Sequence, residues 1–200
     1  MGQLPSHELD LAVPRRSAPR QAVLASVVPP GHLQAVQNDG DRPTGARAWR
    51  YIVIHHSATD SGNAGTFDIQ HRRRGWDELG YHFVIDNGQG GPDGNVEVGS
   101  RWRSQKWGAH CGGTPNNEYN NYGIGICLVG DFSRFTPSDK QLSAMRRLVA
   151  DLATEYDIAP ENIICHCDAP NATTECPGAR LRAYVYGTLR RSVASAYAGR

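Results

Sequence analysis

No apolar run in the sequence approaches the roughly 18 to 20 residues that a membrane-spanning helix needs. The longest candidate, Ala22 to Val28, is interrupted by Ser26, so no membrane span is expected. Charge of one sign is also lacking. With 21 basic against 20 acidic side chains the formal charge is +1, which gives no global field to draw nucleic acid, and nucleic acid is excluded as a partner. Cysteine is scarce: the five, all between Cys111 and Cys176, are too few for a disulfide-stapled miniprotein. Their odd number leaves at least one sulfur unpaired or on a metal. Aromatic residues are missing from residues 1–48, which hold six of the twelve prolines and none of the sixteen aromatics. Such a segment is expected to be a disordered tail or linker. Arg15-Arg16 ahead of the Ala22–Val28 patch leaves open the remnant of an export signal.

From Trp49 to residue 200 the chain is aromatic-bearing and periodic, long enough for one ordinary core and no second domain. Tyr51-Ile52-Val53-Ile54 is a β-branched run ending at His55-His56-Ser57, which predicts a buried central strand that stops in polar residues. A short helix is expected over Thr66 to Arg74. Tyr81 to Ile85 reads as a strand leading through the Gly-rich stretch Asn87 to Gly94 into Val96-Glu97-Val98, a hairpin. Gly99 to Gly123 has little periodicity and suits a long surface loop. Ile124 to Val129 restores a strand. Thr136-Pro137-Ser138-Asp139 then supplies an N-cap, a proline at the first helical position and an acid in the first turn, ahead of Leu142, Met145, Leu148, Val149, Leu152 and Tyr156 at helical spacing. Asn162 to His166 predicts a last strand, and Leu181, Val185, Leu189 and Val193 a closing helix. The implied fold is α/β: a single domain with a central mixed sheet flanked by helices, so functional groups gather at strand ends and in loops.

Side chains alternate faces along a strand, so Tyr51, Val53 and His55 point one way and Ile52, Ile54 and His56 the other. Only one histidine of the doublet can face a given site. The second polar cluster is His166, followed ten residues later by Cys176 across a Pro/Asn/Thr-rich loop able to fold back on itself. Two neutral imidazoles and one thiolate make a zinc set with a fourth tetrahedral position left for water, the arrangement of catalytic rather than structural zinc. Each histidine taken singly reads equally as a core or turn residue. A local alternative is a closed site of Cys165, His166, Cys167 and Cys176. Strand alternation opposes it, because Cys165 and Cys167 then face away from His166. Cys111, Cys127, Cys165 and Cys167 read as small packing residues, with disulfides among them left open. Tyr81 alone reads as a strand aromatic.

Five motifs occur in one order: Tyr51 to Thr59 (YIVIHHSAT), Gly75 to Val84 (GWDELGYHFV), Gly108 to Cys111 (GAHC), Ile124 to Phe132 (IGICLVGDF), and His166 with Cys176-Pro177-Gly178. In this the chain, over about residues 49–195, resembles zinc N-acetylmuramoyl-L-alanine amidases of type 2, which share their fold with peptidoglycan recognition proteins and phage amidases. The resemblance implies that His55, His166 and Cys176 hold Zn2+, that Tyr81 is catalytic beside the metal water, and that Thr174 hydrogen-bonds substrate or tetrahedral intermediate. It also implies hydrolysis of the amide between N-acetylmuramic acid and L-alanine in peptidoglycan or a muropeptide. Access to that substrate points to export, and a monomer is expected. The ten-residue step from His166 to Cys176 resembles that of muropeptide-recycling amidases, which use aspartate as third ligand and a glutamate base where this chain has Cys127. That base is absent here, and the chain sides with the recognition-protein branch.

His110, Trp76, Trp102, Trp107 and the Asn116–Tyr122 loop are candidates to line a groove for sugar and stem peptide, with Tyr122 at its edge. Ordinary loop packing is the alternative. Arg72-Arg73-Arg74 reads as a solvated helix end. Two rival functions remain: a peptidoglycan-binding module that does not cut, which the zinc cysteine disfavours, and a zinc peptidase on the same scaffold.

Overall fold

A computed structural model describes residues 47–198. The expected tail and export motif lie outside these residues except for Arg47 and Ala48. Arg47 is tied to the domain, its Nε donating to the Asn121 carbonyl at 2.6 Å.

Five strands form one mixed sheet in the order β3-β2-β4-β1-β5. They are β1 (Tyr51–His56), β2 (Phe83–Ile85), β3 (Val96–Val98), β4 (Gly123–Leu128) and β5 (Ile163–Cys165). β1 lies between β4 and β5 and is parallel to both, β2 is parallel to β4, and the β2–β3 hairpin supplies the antiparallel edge. The sheet therefore has the mixed character expected. The helices are α1 (Ala64–Arg73), α2 (Ser100–Arg103), α3 (Glu118–Asn121), α4 (Asp139–Glu155), α5 (Ala179–Tyr184) and α6 (Arg190–Ala198).

The two faces of the sheet differ because alternating positions carry different residues. Ile52, Ile54, Phe83, Ile85, Ile124, Ile126 and Leu128 form one buried face, which packs with Met145, Val149 and Leu152 of α4 and with Leu181, Val185, Leu189 and Val193 near the C-terminus. Each such side chain, fully buried, contributes about 1.5–3 kcal/mol of transfer free energy. The opposite face carries Val53, His55, His82, Val84, Gly123, Gly125 and Cys127, smaller or polar residues that leave room for functional groups.

Helix ends follow local chemistry. The Asn63 side chain accepts from Thr66 N at 2.8 Å and opens α1. At α4 the Ser138 side chain accepts from Gln141 N while the Gln141 side chain accepts from Ser138 N, a reciprocal capping box. The N-cap is thus Ser138, two residues later than Thr136-Pro137 predicts. Ser138 wins because glutamine stands three residues after it and can close the box. The closing helix is continuous through a widened turn over Val185–Leu189.

Gly99 to Gly123 corrects a second expectation. Instead of a surface loop, this segment holds α2, α3 and a short 3-10 turn, and buries Arg101, Trp102, His110 and Cys111. Its order comes from side-chain-to-backbone bonds that periodicity does not register. The Arg101 guanidinium donates to the carbonyls of Leu79 and Trp107, and Asn120 Oδ1 accepts from both His110 N and Cys111 N at 2.8 Å.

Candidate metal centre

His55 is the fifth residue of β1, on the small-residue face, in register with Cys127 of β4. His166 begins the turn that follows β5. The segment after it folds back so that Cys167 N donates to the Cys176 carbonyl at 2.7 Å, bringing Cys176 to the end of β1. One ligand atom each from His55, His166 and Cys176 then lies within 4.8 Å of the others. Among the described residues this is the sole group of three or more such side chains so arranged. His55 Nδ1 and Cys176 Sγ are 3.7 Å apart. Atoms bonded at about 2.0–2.3 Å to one tetrahedral ion stand roughly 3.5 Å apart, so the donor types suit a zinc ion and the His55–Cys176 pair stands near that spacing.

Burial, then the nearby His110 and His166, hold the His55 pKa well below 6.5, and burial lowers that of His166. Both rings are neutral at pH 7, as ligation requires. Burial pushes the Cys176 thiol up to about 12, opposed by a hydrogen bond from His56 N at 3.4 Å. Without a cation it keeps its proton; coordination removes it. His56 turns to the other face, where Nδ1 accepts from Phe132 N at 3.2 Å. One histidine of the doublet faces the site, as alternation requires.

Tyr81 precedes β2, its ring 5.2 Å from that of His55, and it packs against the cluster that holds the buried Cys127. Burial, reinforced by Cys127 and Cys176, raises its pKa well above 10, so it is a neutral phenol able to donate. Thr174 is exposed, and its Oγ1 accepts from Cys176 N at 3.1 Å. The exposed Trp76 packs against His71 with ring centres 4.5 Å apart and planes tilted by 40°, and the His71 and Tyr81 ring centres are 5.6 Å apart, making an aromatic path from the surface to the cluster. Trp107 is exposed beneath Arg47 and Lys106. Tyr122 is packed under Arg50 just before β4, at the end of the sheet remote from the strand termini that carry the cluster. Trp102 is core. His110 does not line an open surface: it is buried, with Nδ1 3.0 Å from His55 Nε2.

The closed cysteine alternative does not form. Cys165 packs in the main core with Cys167 against it, and all five cysteines are free. The contact between Tyr81 and Cys127 and that between His55 and His110 are absent from the sequence reading. The small-large alternation Gly123-Ile124-Gly125-Ile126-Cys127-Leu128 is the signal that something bulky lies over the small face.

Residues 45–179 match the Amidase_2 family, described as N-acetylmuramoyl-L-alanine amidase. The chain is 33% identical over 141 residues to the endolysin of Escherichia phage T7, across 66% of this chain and 82% of the endolysin. It is 32% identical over 142 residues to peptidoglycan-recognition protein LE of Drosophila melanogaster, across 66% of this chain but only 37% of that protein's length. Among solved structures, N-acetylmuramoyl-L-alanine amidase LysC from Clostridium intestinale URNW superposes with a TM-score of 0.62 at 25% identity, over 74% of this chain and 87% of that one. Peptidoglycan recognition protein-LE in complex with tracheal cytotoxin, a monomeric diaminopimelic acid-type peptidoglycan, gives a TM-score of 0.56 at 27% identity, over 70% of this chain and 81% of that one.

Proposed function

The chain belongs to the N-acetylmuramoyl-L-alanine amidase family, and from that premise we propose that it is a zinc-dependent amidase cutting the bond between the lactyl group of N-acetylmuramic acid and L-alanine in peptidoglycan. The observation that carries this reading is the convergence of His55, His166 and Cys176 from three separate segments to within 4.8 Å. Three protein ligands of this type leave one tetrahedral position for water or substrate.

These three residues would hold the zinc, which would supply Lewis-acid polarisation and lower the pKa of a water toward about 7. The chain's own groups bind and stabilise. Tyr81, which burial keeps a neutral phenol, is available to donate to the oxyanion of the tetrahedral intermediate. Thr174 uses its oxygen as acceptor for Cys176 N, which leaves its own O–H free to donate to substrate. Trp76, at the outer end of the path through His71 to Tyr81, offers a flat face to sugar or stem peptide. Trp107 offers a second. The neighbour described in complex with a monomeric peptidoglycan supports a muropeptide as ligand.

Digestion of purified sacculi by the zinc-loaded protein tests the reading. Release of free muramoyl lactyl groups together with L-alanine amino termini is expected, with about one zinc per chain. Binding without cleavage would make the protein a recognition module, and cleavage elsewhere in the stem would make it a peptidase; either overturns the proposal.

A further inference from the structure

The ring of His110 is fixed at both nitrogens. Its Nε2 lies 3.1 Å from the Gly123 carbonyl and its Nδ1 lies 3.0 Å from His55 Nε2. A carbonyl only accepts, so the proton of His110 is on Nε2. No carboxylate bonds to this buried ring among the described residues, so it is neutral and its Nδ1 is an acceptor. The proton between the two histidines therefore belongs to His55 Nε2. That leaves His55 Nδ1 bare, and Nδ1 is the atom 3.7 Å from Cys176 Sγ. The chain of bonds from Gly123 through His110 to His55 dictates which nitrogen of His55 can bind a cation.

The surroundings are built for this ring. A Cβ on Gly108 would come within 2.3 Å of His110 Cδ2, and one on Gly125 within 2.4 Å. Glycine is disfavoured inside a strand and often marks the close approach of another group; at Gly125 that group is His110. The His110 backbone is also held, its N–H donating to Asn120 Oδ1 at 2.8 Å.

We propose that His110 is a positioning residue that selects the Nε2–H tautomer of His55 and so turns the Nδ1 lone pair toward the metal site. The role concerns His55 and not substrate, and it rests on the reading of His55 as a metal ligand. In the alternative tautomer a proton on Nδ1 would occupy the position the cation needs, and two bare nitrogens would face each other 3.0 Å apart.

Long-range 1H–15N correlation of histidine rings in the metal-free full-length protein reads the tautomer directly. His55 and His110 are both expected as Nε2–H. His110→Leu removes the acceptor, and His55 is expected to lose its exclusive Nε2–H form while zinc affinity, measured by chelator competition, falls about 10–100-fold. His110→Asn keeps an acceptor oxygen near the Nδ1 position and is expected to restore affinity to within several-fold of wild type. A metal-free wild type with the proton on His55 Nδ1, or a folded His110→Leu variant that binds zinc as tightly as wild type, overturns the proposal. Should His110→Leu fail to fold, the wild-type tautomer and His110→Asn still decide it. A wild type with the expected tautomer but no zinc affinity overturns the metal reading instead.

Discussion

Replacing Asp86 with asparagine is expected to stabilise the protein at pH 8 and to abolish a loss of stability that the wild type suffers between about pH 4 and 7. Asp86 follows β2 and is 1% exposed. Its Oδ2 accepts from Asn95 Nδ2 at 2.9 Å, while its Oδ1 is buried without a donor. The neighbouring Glu97 carboxyl is held by Ala64 N at 2.7 Å. Gly91 closes over the group, since a Cβ there would come within 2.1 Å of Asp86 Oδ2. Burial first, with the neighbouring Glu97 carboxylate adding to it, raises the Asp86 pKa from 3.8 to about 7, against the opposing Asn95 bond. The folded state thus holds this proton more tightly than the unfolded chain. The resulting stability is complete below about pH 4 and is lost as pH rises through 7. At about 1.4 kcal/mol for each tenfold gain in proton affinity, the rise from 3.8 to about 7 sets a ceiling of about 4 kcal/mol, and about 2–4 kcal/mol is expected. Asparagine cannot ionise, and its amide can donate to Glu97. Urea denaturation of both proteins at pH 4.5, 6 and 8 measures the difference. A stability gap between variant and wild type that does not widen with pH would refute the raised proton affinity of this buried carboxyl.

Binding of zinc requires the Cys176 thiol, pushed up to about 12 by burial, to lose its proton, so affinity is expected to rise about tenfold per pH unit between pH 6 and 8 and to be lost in Cys176→Ser; a flat pH profile would remove the thiol from the ligand set. Tyr81→Phe is expected to keep its zinc and to lower turnover on peptidoglycan by roughly a hundredfold, the usual consequence of losing one oxyanion donor. Unchanged turnover would return Tyr81 to packing. Gly125→Ala brings a Cβ to 2.4 Å from the doubly bonded His110 ring and is expected to cost about 2–4 kcal/mol through overpacking and a disrupted buried hydrogen bond. A denaturation midpoint equal to that of wild type would mean the ring has room to move.

Much of the architecture was legible because alternation and helical spacing are local properties. The run Tyr51 to Ile54 and the spacing of Met145, Val149 and Leu152 each name an element and its buried face without any knowledge of its partner. The same alternation separated His55 from His56. What stayed hidden in Gly99 to Gly123 was order imposed by isolated polar groups, Arg101 and Asn120, whose bonds to distant backbone have no period.

The sequence by itself determined the elements, the chemical types able to hold a cation, and, through resemblance, the family. Local pattern left open whether His166 and Cys176 meet His55, a grouping that only the resemblance implied and that the tertiary structure brings within 4.8 Å; that Cys127 lies against Tyr81 and that His110 faces His55 instead of a groove only the tertiary structure decided. These contacts join residues separated by tens of positions. Their existence depends on strand order and on how segments fold back across the sheet, quantities to which no local pattern is sensitive.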